Sequence, residues 1–290
     1  MLQDQGSEVE EESFSFFEKR REKSLREKFF RYLNTFLTAF LIISAIYLAF
    51  LIVNILQDEE RKNLLSAPGD FYKDYLGEDY SKIMVEFDFI EGYMPDAEAL
   101  KHFKNVLERE CRKEIFLEVD DAIPKKKEKY SIKDINDLEV KYRDLYRGGD
   151  QAVMYFLYLN GEFSDGGEEV AGFAYHGSSV VIFAEKIENA SGLRISKTEV
   201  ERAVLVHEAG HLLGLVEINY KSDYEHQDKE HEHHCTHTDE MGHHDCVMFW
   251  KIETSDVGSF DSYYNQVVGD VPNDFCEYCK ADLEKQRQRS

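Results

Sequence analysis

His207 and His211 stand four residues apart, with Glu208 directly after the first. Positions i and i+4 share one face of an α-helix, so two imidazoles there can point at a single metal ion. A carboxylate beside them can reach a water molecule on that ion. The His-Glu-x-x-His spacing is that of zinc sites that activate water for hydrolysis, with the glutamate as general base. Chance would place the same letters on the surface of an amphipathic helix. The context argues otherwise. Ser196-Lys197-Thr198-Glu199 has the form of a capping box, and it opens an apolar helical run that reaches Gly214. Glycine suits a helix end because it enters the left-handed region without steric penalty.

With Gly214 the pattern becomes His-Glu-x-x-His-x-x-Gly and resembles that of the metzincin clan of zinc peptidases. Further on come His234-Cys235, then Cys246-Val247-Met248, then Cys276-Glu277-Tyr278-Cys279. Within the clan, that order is most similar to the archaemetzincin family, with longer early spacings. An insertion, VEINYKSDYEHQDKEHEH, separates Gly214 from His234, and THTDEMGHHD lengthens the stretch between Cys235 and Cys246. The resemblance implies an α+β fold with a metzincin-like mixed sheet and a catalytic zinc ion held by His207, His211 and a third residue. Glu208 is then the general base and Met248 the methionine of the turn beneath the metal. An edge strand would pair with an extended peptide substrate.

For the third ligand, clan spacing points to Glu217, whereas the His-Cys pair points to His234. His234 is the expectation, because neutral imidazole is the commoner zinc ligand and a long loop closes at modest entropic cost. Glu217 and His231 are the alternatives. His226, Asp228 and His233 lie in the same insertion, but their spacing specifies no geometry. The resemblance also implies a second, structural zinc on Cys235, Cys246, Cys276 and Cys279. Two disulfides are the rival, favoured by an oxidising compartment. Cys111 stands alone on an expected helix and suits core packing.

The elements that must position these residues can be read upstream. Lys82–Ile90 alternates apolar and acidic residues over much of its length, as a half-buried strand does. Asp96–Arg112 carries apolar residues at helical spacing, Glu114–Ile123 reads as a strand, and Ile132–Tyr146 reads as a helix. Ala152–Leu159 is a continuous apolar run expected as a central strand. Two short strands, Val170–Tyr175 and Ser179–Glu185, precede the metal-binding helix.

The chain has 290 residues, and its charge, 35 − 58 = −23, argues against a partner recognised through a phosphate backbone. No nucleic acid is therefore expected. Leu33–Leu56 carries no charged residue, and its roughly 24 residues span about 36 Å as a helix, enough for a hydrocarbon core of about 30 Å. A cleaved signal peptide would have a shorter apolar core and a small-residue cleavage site, and neither is found. Lys19, Arg20, Arg21, Lys23, Arg26, Lys28 and Arg31 precede the run, while Asp58, Glu59 and Glu60 follow it. The positive-inside rule then makes 1–32 a cytoplasmic segment, 33–56 a single transmembrane helix and 57–290 an extracytoplasmic domain at the cell membrane. Two functions are consistent with these readings: a membrane-anchored zinc metallopeptidase acting on peptides, and a non-catalytic zinc-binding sensor or interaction ectodomain. Glu208 favours the first, since a degenerate site has no need of a base.

Overall fold

The computed structural model describes residues 5–124, 126–166, 170–192, 195–216, 218, 221–238, 240, 244–253 and 271–290. The chain divides into two units, Met1–Asp58 and Glu59–Ser290. Helix α1 (Gln5–Leu64) supplies the first and runs on past both ends of the apolar stretch. Within it, Phe30–Asn54 is long and apolar enough to cross a membrane. Its polar side chains bond to their own helix: Thr35 Oγ1 donates to Arg31 O at 2.9 Å, Thr38 Oγ1 to Asn34 O at 2.8 Å and Asn54 Nδ2 to Phe50 O at 2.8 Å. Such back-bonding leaves those groups satisfied where water is excluded.

In the second unit, α2 (Tyr72–Leu76) leads to β1 (Lys82–Ile90), α3 (Ala97–Cys111) and β2 (Glu114–Ile123). Then come β3 (Lys129–Tyr130), α4 (Ile132–Tyr142), β4 (Gln151–Leu159), β5 (Glu162–Phe163), β6 (Gly172–His176) and β7 (Ser179–Phe183). The main sheet has five strands in the order β2-β1-β4-β7-β6. All neighbours are parallel except β6, which runs antiparallel to β7 at one edge. The small β3 and β5 pair separately. Strands and helices alternate through the first half, so the class is mixed α/β where α+β was expected, and the sheet is mixed as expected.

β4 is central, and both of its faces are buried. Met154, Phe156 and Tyr158 join one apolar core with α3, while Tyr155, Leu157 and Leu159 join another with Ile135 of α4. β1 differs from its expected half-buried character, because Glu86 and Asp88 are also buried. Glu86 accepts hydrogen bonds from the amides of Asp144 and Leu145 at 2.7 and 2.8 Å, and burial pushes its pKa up to about 7. Asp88 accepts from the Tyr155 hydroxyl at 2.8 Å. Alternating acids therefore face a second layer of protein instead of water.

Helix α4 begins on a capping box of Ser131 and Asp134 and ends at Tyr142, short of the expected Tyr146. Arg143 leaves the helix because its guanidinium is drawn into a buried polar cluster. It donates to Glu139 Oε1 at 2.7 Å, Ser178 Oγ at 3.0 Å and Ser179 Oγ at 3.1 Å. Asn63 Nδ2 also donates to Glu139 Oε1, at 2.7 Å. The strand expected to reach Glu185 stops at Phe183, where Ala184, Ile187 and Ala190 take helical spacing in α5 (Ala184–Ala190). Removing one partner of the Glu139–Arg143 pair, each side chain 2% exposed, strands the other charge. Glu139→Ala should therefore lower the unfolding free energy in urea by about 3–5 kcal/mol. A loss below about 1 kcal/mol would mean that water reaches Arg143.

Candidate metal centres

Helix α6 (Lys197–Leu212) carries the first donors. Ser196 and Glu199 form the capping box in both directions: Ser196 Oγ accepts from Glu199 N at 3.2 Å, and Glu199 Oε2 accepts from Ser196 N at 2.7 Å. Nearly every residue from Val200 to Leu212 is buried, so the histidines are not on a surface face. Gly214 follows at φ +75°, a left-handed turn that carries the chain away from the helix end.

His207, His211 and His234 are 0%, 6% and 9% exposed, and their ring nitrogens converge. His207 Nδ1–H donates to Val247 O at 2.6 Å, and His234 Nδ1–H donates to Glu232 O at 2.8 Å. Each bond holds a proton on Nδ1 and leaves the Nε2 lone pair facing the centre. The Nε2 atoms of His207 and His211 lie 3.1 Å apart. A fourth donor, unforeseen from the sequence, is Glu253, whose Oε1 lies 3.2, 3.0 and 3.2 Å from Nε2 of His207, His211 and His234. Lone pairs this close repel one another unless a cation or protons lie among them. Tetrahedral zinc with ligands at about 2.0–2.1 Å has edges of about 3.3–3.4 Å between them, so the donor set fits such an ion. His234 Nε2, buried and without a hydrogen-bond partner of normal geometry, is the orphaned atom that such an ion would satisfy.

The electrostatics act on the donors in different senses. Burial pushes the His211 pKa down to about 4, which keeps the imidazole neutral, the form that binds metal. For His234 burial acts downward too, but the Glu253 carboxylate and the Glu232 carbonyl outweigh it and raise the pKa. Glu208 is fully buried, and neither carboxylate oxygen has a hydrogen-bond partner of normal geometry. Burial holds its pKa well above the ordinary carboxylate range. Repulsion from Glu253 adds to the shift, and the Ala174 amide acts in the opposite sense.

Of the alternative third ligands, Glu217 lies outside the described residues. His231 is elsewhere: its ring stacks on Trp250 with centroids 4.0 Å apart, and its Nδ1 faces Asp228 Oδ2 at 3.3 Å. His234, directly after the insertion, is the candidate that the structure brings to His207 and His211.

The cysteines form a second cluster, and all are free thiols. Cys235 and Cys276 have Sγ atoms 3.8 Å apart, and Cys246 and Cys279 3.6 Å apart, so neither pair is a disulfide. Cys276 caps the N-terminus of α7 (Glu277–Gln288), a helix that was not anticipated, and Cys279 sits in its first turn. The amides of His237 and Cys276 donate to Cys235 Sγ and Cys246 Sγ, each at 3.4 Å. Hydrogen bonding from Cys235, Cys246 and Cys279 lowers the pKa of the Cys276 thiol. His226 is here as well, with Nδ1 3.3 Å from Cys235 Sγ and 3.8 Å from Cys279 Sγ. Its Nε2 faces Asp282 Oδ2 at 3.0 Å, and Asp282 in turn accepts from Ser222 Oγ at 2.9 Å. Cys111 is apart, buried at the end of α3, and burial pushes its thiol up to about 12.

One short segment joins the two clusters. Val247 O anchors His207, and Met248 O accepts from Cys235 N at 2.8 Å. The Met248 side chain lies under α6 against Gly210, where an added Cβ would overlap its Sδ and come within 3.0 Å of Phe275 Cε1.

No protein-family model and no curated protein matches the chain. Among solved structures, it is similar to the archaemetzincin of Methanopyrus kandleri, with 15% identity over 72% of this chain and 97% of that one and a TM-score of 0.47. The archaemetzincin of Archaeoglobus fulgidus, complexed with malonate, gives 17% identity over 69% and 99% and a TM-score of 0.39. A zinc-dependent peptidase from Methanocorpusculum labreanum gives 15% identity over 69% and 99% and a TM-score of 0.42.

The contact beneath α6 is open to test. Alanine favours a helix over glycine by about 1 kcal/mol, yet Gly210→Ala should destabilise the protein by about 1–3 kcal/mol through overlap with Met248. Thermal denaturation should also show the Gly210→Ala/Met248→Ala double variant less destabilised than the sum of its single variants. Additive effects would mean that the thioether moves away freely.

Proposed function

We propose that the chain is a membrane-anchored zinc metallopeptidase. The observation that carries the reading is the convergence of three imidazole nitrogens with Glu253, together with a fully buried Glu208 carboxylate, next in sequence to His207, that feels the charge of Glu253. His207, His211 and His234 would hold the catalytic zinc. Bound there, zinc supplies a Lewis acid that polarises a carbonyl and lowers the pKa of water toward about 7. Glu208 takes a proton from the attacking water and passes it to the leaving nitrogen. Burial raises the proton affinity of that carboxylate, which strengthens it as a base. Strand β6, at the sheet edge, supports the binding of an extended peptide by backbone pairing. Met248 packs beneath the ligand helix and takes no part in bonding the metal.

Cys235, Cys246, Cys276 and Cys279 would hold a second, structural zinc, with His226 against the thiolates. Phe30–Asn54 would serve as the anchor, and the basic residues before it favour a cytoplasmic N-terminus with the catalytic unit outside. A second reading, a non-catalytic zinc-binding sensor or interaction ectodomain, draws on one observation: Glu253 fills the fourth direction of the histidine centre.

Glu208→Gln separates the two readings. The variant should keep its zinc, while turnover on any peptide that the wild type cleaves falls at least about 100-fold. Equal turnover would remove Glu208 as the base.

A further inference from the structure

Glu253 follows the Met248 turn on a single 3-10 turn, Trp250–Glu253. Its Oε1 lies within 3.2 Å of all three imidazole Nε2 atoms, at the vertex that a catalytic centre keeps for water or substrate. Its backbone is tied down too, since Glu253 O accepts a hydrogen bond from Ala171 N at 2.7 Å. Ala171 directly precedes β6, so Glu253 uses a main-chain donor at the end of the strand where an extended peptide would pair. The side chain thus reaches the metal position as a substrate carbonyl would, from a segment lying against the sheet edge. Unlike the buried histidines, its side chain is 28% exposed, and it stands on a short turn.

We propose that Glu253 is a fourth protein ligand to the metal held by His207, His211 and His234, and that it closes this centre until a substrate or another metal-binding group displaces it. The proposal rests on the metal centre described above. It makes the closed and open centres two states of one protein: one carboxylate oxygen is exchanged for one incoming oxygen donor, and no covalent bond is made or broken. The three histidines alone keep the metal in the open state, so displacement does not release it. Because the chain supplies its own competitor, a ligand entering the centre binds more weakly than it would to three histidines with a free vertex. If the closed state holds about nine-tenths of the molecules, removing the carboxylate raises the apparent affinity for such a ligand about 10-fold.

The test loads the full chain with Co2+ and compares wild type, Glu253→Gln and Glu253→Ala. Thiolate-to-metal charge-transfer bands report the cysteine cluster, and because a cobalt thiolate site has visible d–d bands of its own, the histidine centre is read from the d–d intensity that His211→Ala loses. Unchanged charge-transfer bands show that a variant is folded. Each protein is then titrated with acetohydroxamate, and its Co2+ affinity is measured against a chelator. The expected result is an altered d–d spectrum and weaker cobalt binding in both variants, together with acetohydroxamate affinity at least about 10-fold higher than wild type. Cobalt at the histidine centre with the same spectrum, metal affinity and acetohydroxamate affinity in all three proteins overturns the role of Glu253 alone. A wild type whose d–d bands equal those of His211→Ala, with the cysteine charge-transfer bands present, overturns the metal centre and the fourth ligand together.

Discussion

Three imidazole nitrogens gathered within 3.2 Å of one carboxylate oxygen in a protein interior bring lone pairs together that repel unless positive charge lies among them. That constraint organises the C-terminal half of the second unit. Helix α6 is buried almost all round, so it fixes His207, Glu208 and His211 with little freedom. The other two donors come from outside α6, His234 from directly after the long insertion and Glu253 from a single 3-10 turn. Neither would hold its position by packing alone. A bound cation turns the repulsion among the four donors into attraction, and in such a segment metal-binding energy is also folding energy.

The cysteine cluster extends the same principle to the segments behind the histidine centre. Cys235 is adjacent to His234, and its amide bonds to Met248 O, whose neighbour Val247 holds the His207 ring. Cys246 stands before that same turn, and Cys276 and Cys279 bring in helix α7. A perturbation at the thiols therefore reaches the histidines through two residues of backbone. The Met248 side chain closes the arrangement from below, in a space that only a glycine at position 210 leaves open.

Much of this was legible in the sequence, and the remainder was hidden for physical reasons. The ligand helix was readable because its signals are local: a capping box, a 3.6-residue period, a spacing of four and a terminal glycine. The fully apolar β4 was readable as a central strand for the same kind of reason. His234 was favoured over His231 as a candidate only through its adjacency to Cys235, since nothing in the insertion fixes distance to α6. Glu253 and His226 carry no spacing signal at all, because tertiary loop geometry alone brings them to their clusters. The acidic residues of β1 misled the reading of its outer face: alternation reports polarity, and Glu86 and Asp88 satisfy that polarity with backbone amides and a tyrosine instead of water. The end of α4 was misplaced because a buried pair outweighed the helical pattern.

The most direct test is zinc stoichiometry combined with X-ray absorption at the zinc edge, on the full wild-type chain and on His211→Ala. Wild type should carry two zinc ions, with an average first shell divided between nitrogen or oxygen at about 2.0–2.1 Å and sulfur at about 2.3 Å. His211→Ala should lose one ion, and its remaining shell should be dominated by sulfur. A wild type with a single zinc ion in a sulfur-dominated shell, unchanged by His211→Ala, would contradict the metal centre on which the proposed chemistry depends.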